Sequence, residues 1–149
     1  MGLITNQGLT PFTHIFFADI PYDLQINKEK YYQTIFYLIF SLIGLKVEAE
    51  VKTNKGRIDA VIIDKNIYIF EFKFNGDKNK ALSQIKEKKY FEKYQGMRVS
   101  DQRAEDGERG AEIRGLKSEV GGLRADKEIY LFGVEFIDRS IGEWVVEKM

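Results

Sequence analysis

The stretch GRIDAVIIDKNIYIFEFKF, residues 56–74, constrains the fold of this chain more than any other. It reads as two apolar strands, RIDAVIID and NIYIFEFKF, joined by a hairpin turn at Lys65-Asn66. Side chains alternate between the two faces of a strand. Ile67, Ile69, Glu71 and Lys73 therefore share one face, and Tyr68, Phe70, Phe72 and Phe74 share the other. Both faces are apolar for most of the length, as in a central strand covered on both sides. Near the C-terminal end one face turns ionic, with Glu71 and Lys73 roughly 6.5–7 Å apart along the strand. Asp59 lies on the preceding strand, on the face of Val61 and Ile63, and a turn at 65–66 sets it opposite residue 71 or 72.

Charges that interrupt apolar strands are costly unless they are paired or bind a metal. If Asp59 and Glu71 share a face, two carboxylates converge beside one ammonium. Close carboxylates do not both ionise easily unless a cation lies between them. Oxygen ligands suit a hard divalent ion, Mg²⁺ or Mn²⁺. Lys73 is then placed to orient a water or to stabilise charge developing on a phosphate. The alternative is an ordinary ion pair, Asp59 with Arg57 or Lys73, and Glu71 with Lys73.

Around this hairpin the pattern is regular. Tyr32, Phe36, Ile39, Phe40 and Ile43 recur at spacings of three and four and predict a helix over Glu29–Ile43, with Asn27 as N-cap and Gly44 as its end. KVEAEVKT, residues 46–53, alternates as a strand with Val47, Ala49 and Val51 on one side. GDKNKALSQIKEKKYFEKY predicts a second helix. Six lysines fall between 78 and 95, and Lys86, Lys89 and Lys93 are spaced to share one helical face, where they would track a phosphate backbone. EIYLFGVEFI and EWVVEKM close the chain as strands. Residues 97–126 contain five glycines and no aromatic residue, and predict a long exposed loop or a frayed helix.

These phrases carry a resemblance. A helix, a strand pair ending in D…E-x-K, and a helix with a glutamine are similar to the PD-(D/E)XK nuclease superfamily. The wording of FFADIPYDLQINKEKYYQTIFYLIFSLIGLKVEAEV, NKGRIDAVIIDKNIYIFEFKF, ALSQIKEKKYFEKY and KEIYLFGVEFIDRSIGEW resembles one bacterial group in particular. In that group the nuclease-like domain follows an AAA-type ATPase-like domain. The resemblance implies an α/β, restriction-endonuclease-like core with a central mixed sheet flanked by helices. It implies metal ligands at Asp59, Glu71 and Glu29, a water-positioning lysine at Lys73, and an orienting or nucleic-acid-touching glutamine at Gln84. Arg57, with Lys86, Lys89 and Lys93, is a candidate phosphate contact, though an ion pair to Asp59 or Glu50 competes for it.

The expected organisation is a lead-in over 1–27 that resembles the link from a missing ATPase-like domain, then a nuclease-like domain over 28–149. Residues 97–126 are expected to be an insertion in it. No G-x-x-x-x-G-K-[ST] phosphate loop is present. The expected activity is Mg²⁺- or Mn²⁺-dependent hydrolysis of nucleic acid, DNA ahead of RNA, with an ATPase-like chain or domain as a possible partner. The alternatives are a module that binds nucleic acid or docks an ATPase without cutting, and an inactive fragment. Lys plus Arg and Asp plus Glu both total 23, so the overall charge neither suggests nor excludes nucleic acid. The chain has no cysteine, which excludes disulfides and thiolate sites, and its longest apolar run falls well short of the ~20 residues a membrane helix needs. A cytoplasmic location is expected. His14 lies away from the motif and receives no role.

Overall fold

The computed structural model describes residues 4–5, 8–9, 15–17, 19–24, 28–98, 125–137 and 140–149. Most of 97–126, together with His14 and Asn27, lies outside them. A short hairpin, β1 (Ile4–Thr5) and β2 (Gly8–Leu9), comes first. Then follow α1 (Glu29–Leu42), β3 (Lys46–Thr53), β4 (Gly56–Ile63), β5 (Ile67–Phe74), α2 (Lys78–Glu87), β6 (Ile129–Ile137) and β7 (Ser140–Lys148). Strands β3 to β7 form one sheet in the order β3-β4-β5-β6-β7. The β5–β6 pair is parallel and its neighbours are antiparallel, so the sheet is mixed, as expected. None of the described helices is long and apolar enough to cross a membrane.

Each helix covers one face. Tyr32, Phe36 and Phe40 recur every four residues along α1 and are fully buried against β5 and β6. Phe36 lies with its ring centroid 4.4 Å from Phe40, 4.8 Å from Phe70 and 4.9 Å from Phe72. Lys28 occupies the N-cap of α1 without a side-chain cap bond. The far end stops at Gly44, whose φ of 89° suits glycine and whose N–H bonds Ser41 O. On the other face Leu82 and Ile85 of α2 pack with Ile67, Ile69 and Leu131. Phe17 and Leu9, from the segment read as a lead-in, are buried in the α1-side core.

Two departures from regular pleating position the site. The β3–β4 pairing skips Glu50 and Asp59, and Glu50 takes a φ of 52°. Alternation breaks there: Val47 packs on the α1 side and Val51 on the α2 side. That kink corrects two expectations: Val47, Ala49 and Val51 do not share a face, and Asp59 lies beside Lys30, Gln33 and Ala49 on the α1 side and not on the face of Val61 and Ile63. The second helix is also shorter than its sequence suggests. It ends at Glu87, Lys89 turns left-handed with φ 51°, and a 3-10 turn follows over Tyr90–Tyr94. Lys86, Lys89 and Lys93 therefore do not share one helical face. The ends of the long glycine-containing segment meet: Arg98 bridges Asp126, and Lys127 N–H bonds Met97 O.

Phe36→Ala removes the ring that joins α1 to β5. The expected cost is about 3–5 kcal/mol in urea unfolding, with an unchanged slope against denaturant.

Candidate functional site

The β4–β5 ladder runs from Ile63↔Ile67 to Ala60↔Phe70 and ends there. Beyond it β5 still presents N–H groups to the β4 side, and buried donors need partners. Asp59 supplies the first: its Oδ2 accepts from Phe72 N–H at 2.8 Å. Glu29, in the first turn of α1, supplies the next, with Oε2 3.3 Å from Phe74 N. Gln33, one turn along, donates to the other oxygen of Glu29 at 3.3 Å and accepts from Lys30 at 3.2 Å. Asp59 and Glu29 thus reach the same strand end from opposite elements.

Glu71 and Lys73 point to the α2 face. Glu71 is buried, with only 4% of its side chain exposed, whereas Lys73 is 30% exposed at the mouth. Lys73 Nζ lies 3.4 Å from Glu71 Oε1 and 2.9 Å from Gln84 Oε1. Gln84 Nε2 in turn donates to Glu71 Oε1. One oxygen of Glu71 therefore takes two donors, while its Oε2 is buried without a hydrogen-bond partner. Burial first, then the nearby Asp59 and more weakly Glu29, pushes the Glu71 carboxyl up to about 8, against the pull of Lys73. Burial also raises Asp59; the Phe72 N–H opposes this and Glu29 reinforces it.

Close packing holds α2 in place. Gly133 of β6 pairs with Glu71, and a Cβ there would sit 2.1 Å from Lys78 O and 2.8 Å from Leu82 N. Only glycine lets the α2 backbone come so near, and this seats Gln84 over Glu71. Asp77 caps the helix start, its Oδ1 accepting from Asn79 N–H at 2.7 Å.

Asp59, Glu71, Lys73, Glu29 and Gln84 are thus brought to one end of the sheet. The expected phosphate contacts are scattered. Arg57 pairs with Glu50 at 2.8 Å, and Lys86 pairs with Glu147 at 3.0 Å. Lys89 lies 3.9 Å from Glu92, and Lys93 stands over the Tyr94 ring at 5.9 Å. Sequence reading missed Gln33 and Gly133, whereas the competing pair of Arg57 with Glu50 is the one that forms. Of the missed residues, only the glycine inside a strand carries a readable signal, that of a close backbone approach.

The donor set suits a hard divalent cation: all carboxylate oxygens, one of them buried and unpartnered, with Asp59 and Glu29 raising the Glu71 carboxyl and Glu29 raising Asp59. Asp59 and Glu71 would be the holders, with Glu29 behind them. Among the described residues, no group of three His, Cys, Asp or Glu side chains is arranged to hold a metal ion. Asp59 and Glu29 each give an oxygen to β5 instead.

A profile of the PD-(D/E)XK nuclease superfamily matches residues 27–105. The chain is also 40% identical over 159 residues to the "Uncharacterized protein in vnfD 5'region" of Azotobacter chroococcum mcd 1, covering 99% of this chain. It spans 25% of that relative's length. No solved structure gives a significant match.

The raised Glu71 carboxyl sets a pH dependence. The folded protein binds more protons than the unfolded chain between pH 4.5 and about 8. That part of the stability is complete below pH 4.5 and is lost as pH rises through about 8. Thermal unfolding in chelator should show a falling Tm across this window, and Glu71→Gln should flatten the fall.

Proposed function

Because the chain belongs to the PD-(D/E)XK nuclease superfamily, we propose that this site hydrolyses phosphodiester bonds in nucleic acid with the help of a divalent metal, DNA being favoured over RNA. The observation that carries the reading is the meeting of Asp59, Glu71, Lys73 and Gln84 at one sheet end, with a buried Glu71 oxygen left unpartnered.

Asp59 and Glu71 would hold Mg²⁺ or Mn²⁺, and Glu29 would add negative charge behind them. When bound, the cation supplies Lewis-acid polarisation of the phosphate and a lower pKa for water. Lys73 orients the attacking water and donates to the phosphoryl oxygens as charge builds on them. Gln84 keeps the ammonium aimed by accepting from it at 2.9 Å. Glu71 must lose its proton to act as a ligand, and Lys73 beside it favours that ionised form.

A second reading rests on one observation, that Asp59 and Glu29 already satisfy backbone donors. It makes the same fold a binding or docking module that cuts nothing. The longer relative leaves room for a further domain in such proteins, and an ATPase-like partner belongs to the proposal on the sequence resemblance described above. The lack of cysteine fits work in the reducing cytoplasm.

The test is cleavage of single- and double-stranded DNA and RNA with Mg²⁺ or Mn²⁺. Asp59→Asn keeps an acceptor for Phe72 N–H but removes the charge, and Lys73→Ala removes the ammonium. Each should lower the rate on the order of 10²–10³-fold with the fold intact. Cleavage that survives in Lys73→Ala, or no cleavage of any substrate, defeats the proposal.

A further inference from the structure

The break at Lys89 rearranges the basic residues of this region. The chain turns left-handed there and enters the 3-10 turn, which folds back beneath the β3–β4 hairpin. Tyr90 packs so closely under Gly56 that a Cβ on that glycine would sit 2.8 Å from the Tyr90 hydroxyl oxygen. The fold-back forms a half-open cavity of about 320 Å³ lined by Thr53, Asn54, Lys88, Lys89, Lys93 and Glu92, with Tyr90 beneath. Three lysines thus line one cavity with a single acidic residue, Glu92. That carboxylate is engaged by Lys55 at 2.8 Å and, more loosely, by Lys89 at 3.9 Å. Neither Lys88 nor Lys93 forms an ion pair with any described carboxylate. Gathering like charges costs free energy unless an anion shares the space, and the Asn54 side-chain amide offers it a donor, whereas the Thr53 hydroxyl is spent on Gly56 O at 3.0 Å.

Two structural rulers connect this cavity to the site. Lys88 follows Gln84 by four residues at the end of α2, a rise of about 6 Å. Asp59 follows Gly56, at the hairpin base, by three residues of strand, about 10 Å. Nucleic acid rises about 3.4 Å per nucleotide along one strand. The cavity therefore stands roughly two to three nucleotides from the phosphate that Asp59 and Glu71 would face.

We propose that the cavity between the β3–β4 hairpin and the Lys88–Lys93 turn is a second anion site, which takes a backbone phosphate of the nucleic acid about two to three nucleotides from the bond to be cut. It rests on the nucleic-acid reading above but not on cleavage. It reassigns the phosphate contacts: Lys88 joins Lys89 and Lys93, while Lys86 and Arg57, held by Glu147 and Glu50, drop out.

The experiment measures binding of fluorescent DNA oligonucleotides of increasing length, without metal, as salt is raised. The full chain should gain affinity once the oligonucleotide spans the site and the cavity. Lys88→Gln and Lys93→Gln should each weaken long-oligonucleotide binding several-fold and lower the salt slope by about 1, leaving dinucleotide binding unchanged. Lys86→Gln and Arg57→Gln should match the parent. Free inorganic phosphate, titrated as a competitor, should erase the length gain if the pocket takes phosphate alone. Equal effects from all four substitutions, unchanged binding in Lys88→Gln and Lys93→Gln, or no binding by the parent overturns the site. Binding with this pattern but without cleavage overturns the nuclease reading and leaves the cavity assignment standing.

Discussion

The structure turns on the place where β4 stops pairing with β5. The ladder ends at Ala60↔Phe70, yet β5 continues to Phe74 through a buried region. An unpaired buried N–H costs about 1–3 kcal/mol, so the strand end needs acceptors. Asp59 and Glu29 meet that need from β4 and α1. The same splay that exposes these donors also opens the sheet end and gathers acids there. Structural need and chemical opportunity are met by the same carboxylates. Glu71 differs: it satisfies no backbone group, and one of its oxygens has no partner. It is the residue whose burial is explained least by folding alone.

The α2 face holds the other half. Gly133 admits the helix backbone, Asp77 starts it, and Gln84 then bonds both Glu71 and Lys73. Beyond Lys88 the helix yields to a tight turn under the β3–β4 hairpin. The hairpin thus links Asp59 at one point to a basic cavity at another.

Much of this was legible in the chain, and the reasons are local. The periodicity of Tyr32, Phe36 and Phe40 marks α1, and the alternation over 67–74 marks β5 with Glu71 and Lys73 on one face. The turn at 65–66 put Asp59 opposite 71 or 72, and its carboxylate indeed meets Phe72 N–H. Three things were not legible. The kink at Glu50 depends on a left-handed residue that carries no glycine signal. The end of α2 falls in a run, KEKKY, with no proline or glycine to mark it, so tertiary packing of Tyr90 beneath Gly56 decides it. The ion pair of Lys86 joins Glu147, 61 positions away, which spacing within one element cannot show, whereas the Arg57–Glu50 pair was readable.

If the proposed cation binds here, Glu71, whose carboxyl burial and Asp59 push up to about 8, gives up a proton as the ion enters. Calorimetric titration of Mn²⁺ near pH 7, in buffers of different ionisation enthalpy, tests it most directly, because a ligand carboxyl must release its proton on binding. Saturable binding with close to one proton released per cation is expected, a release that vanishes in Glu71→Gln. Binding without proton release, or no saturable binding, would contradict it.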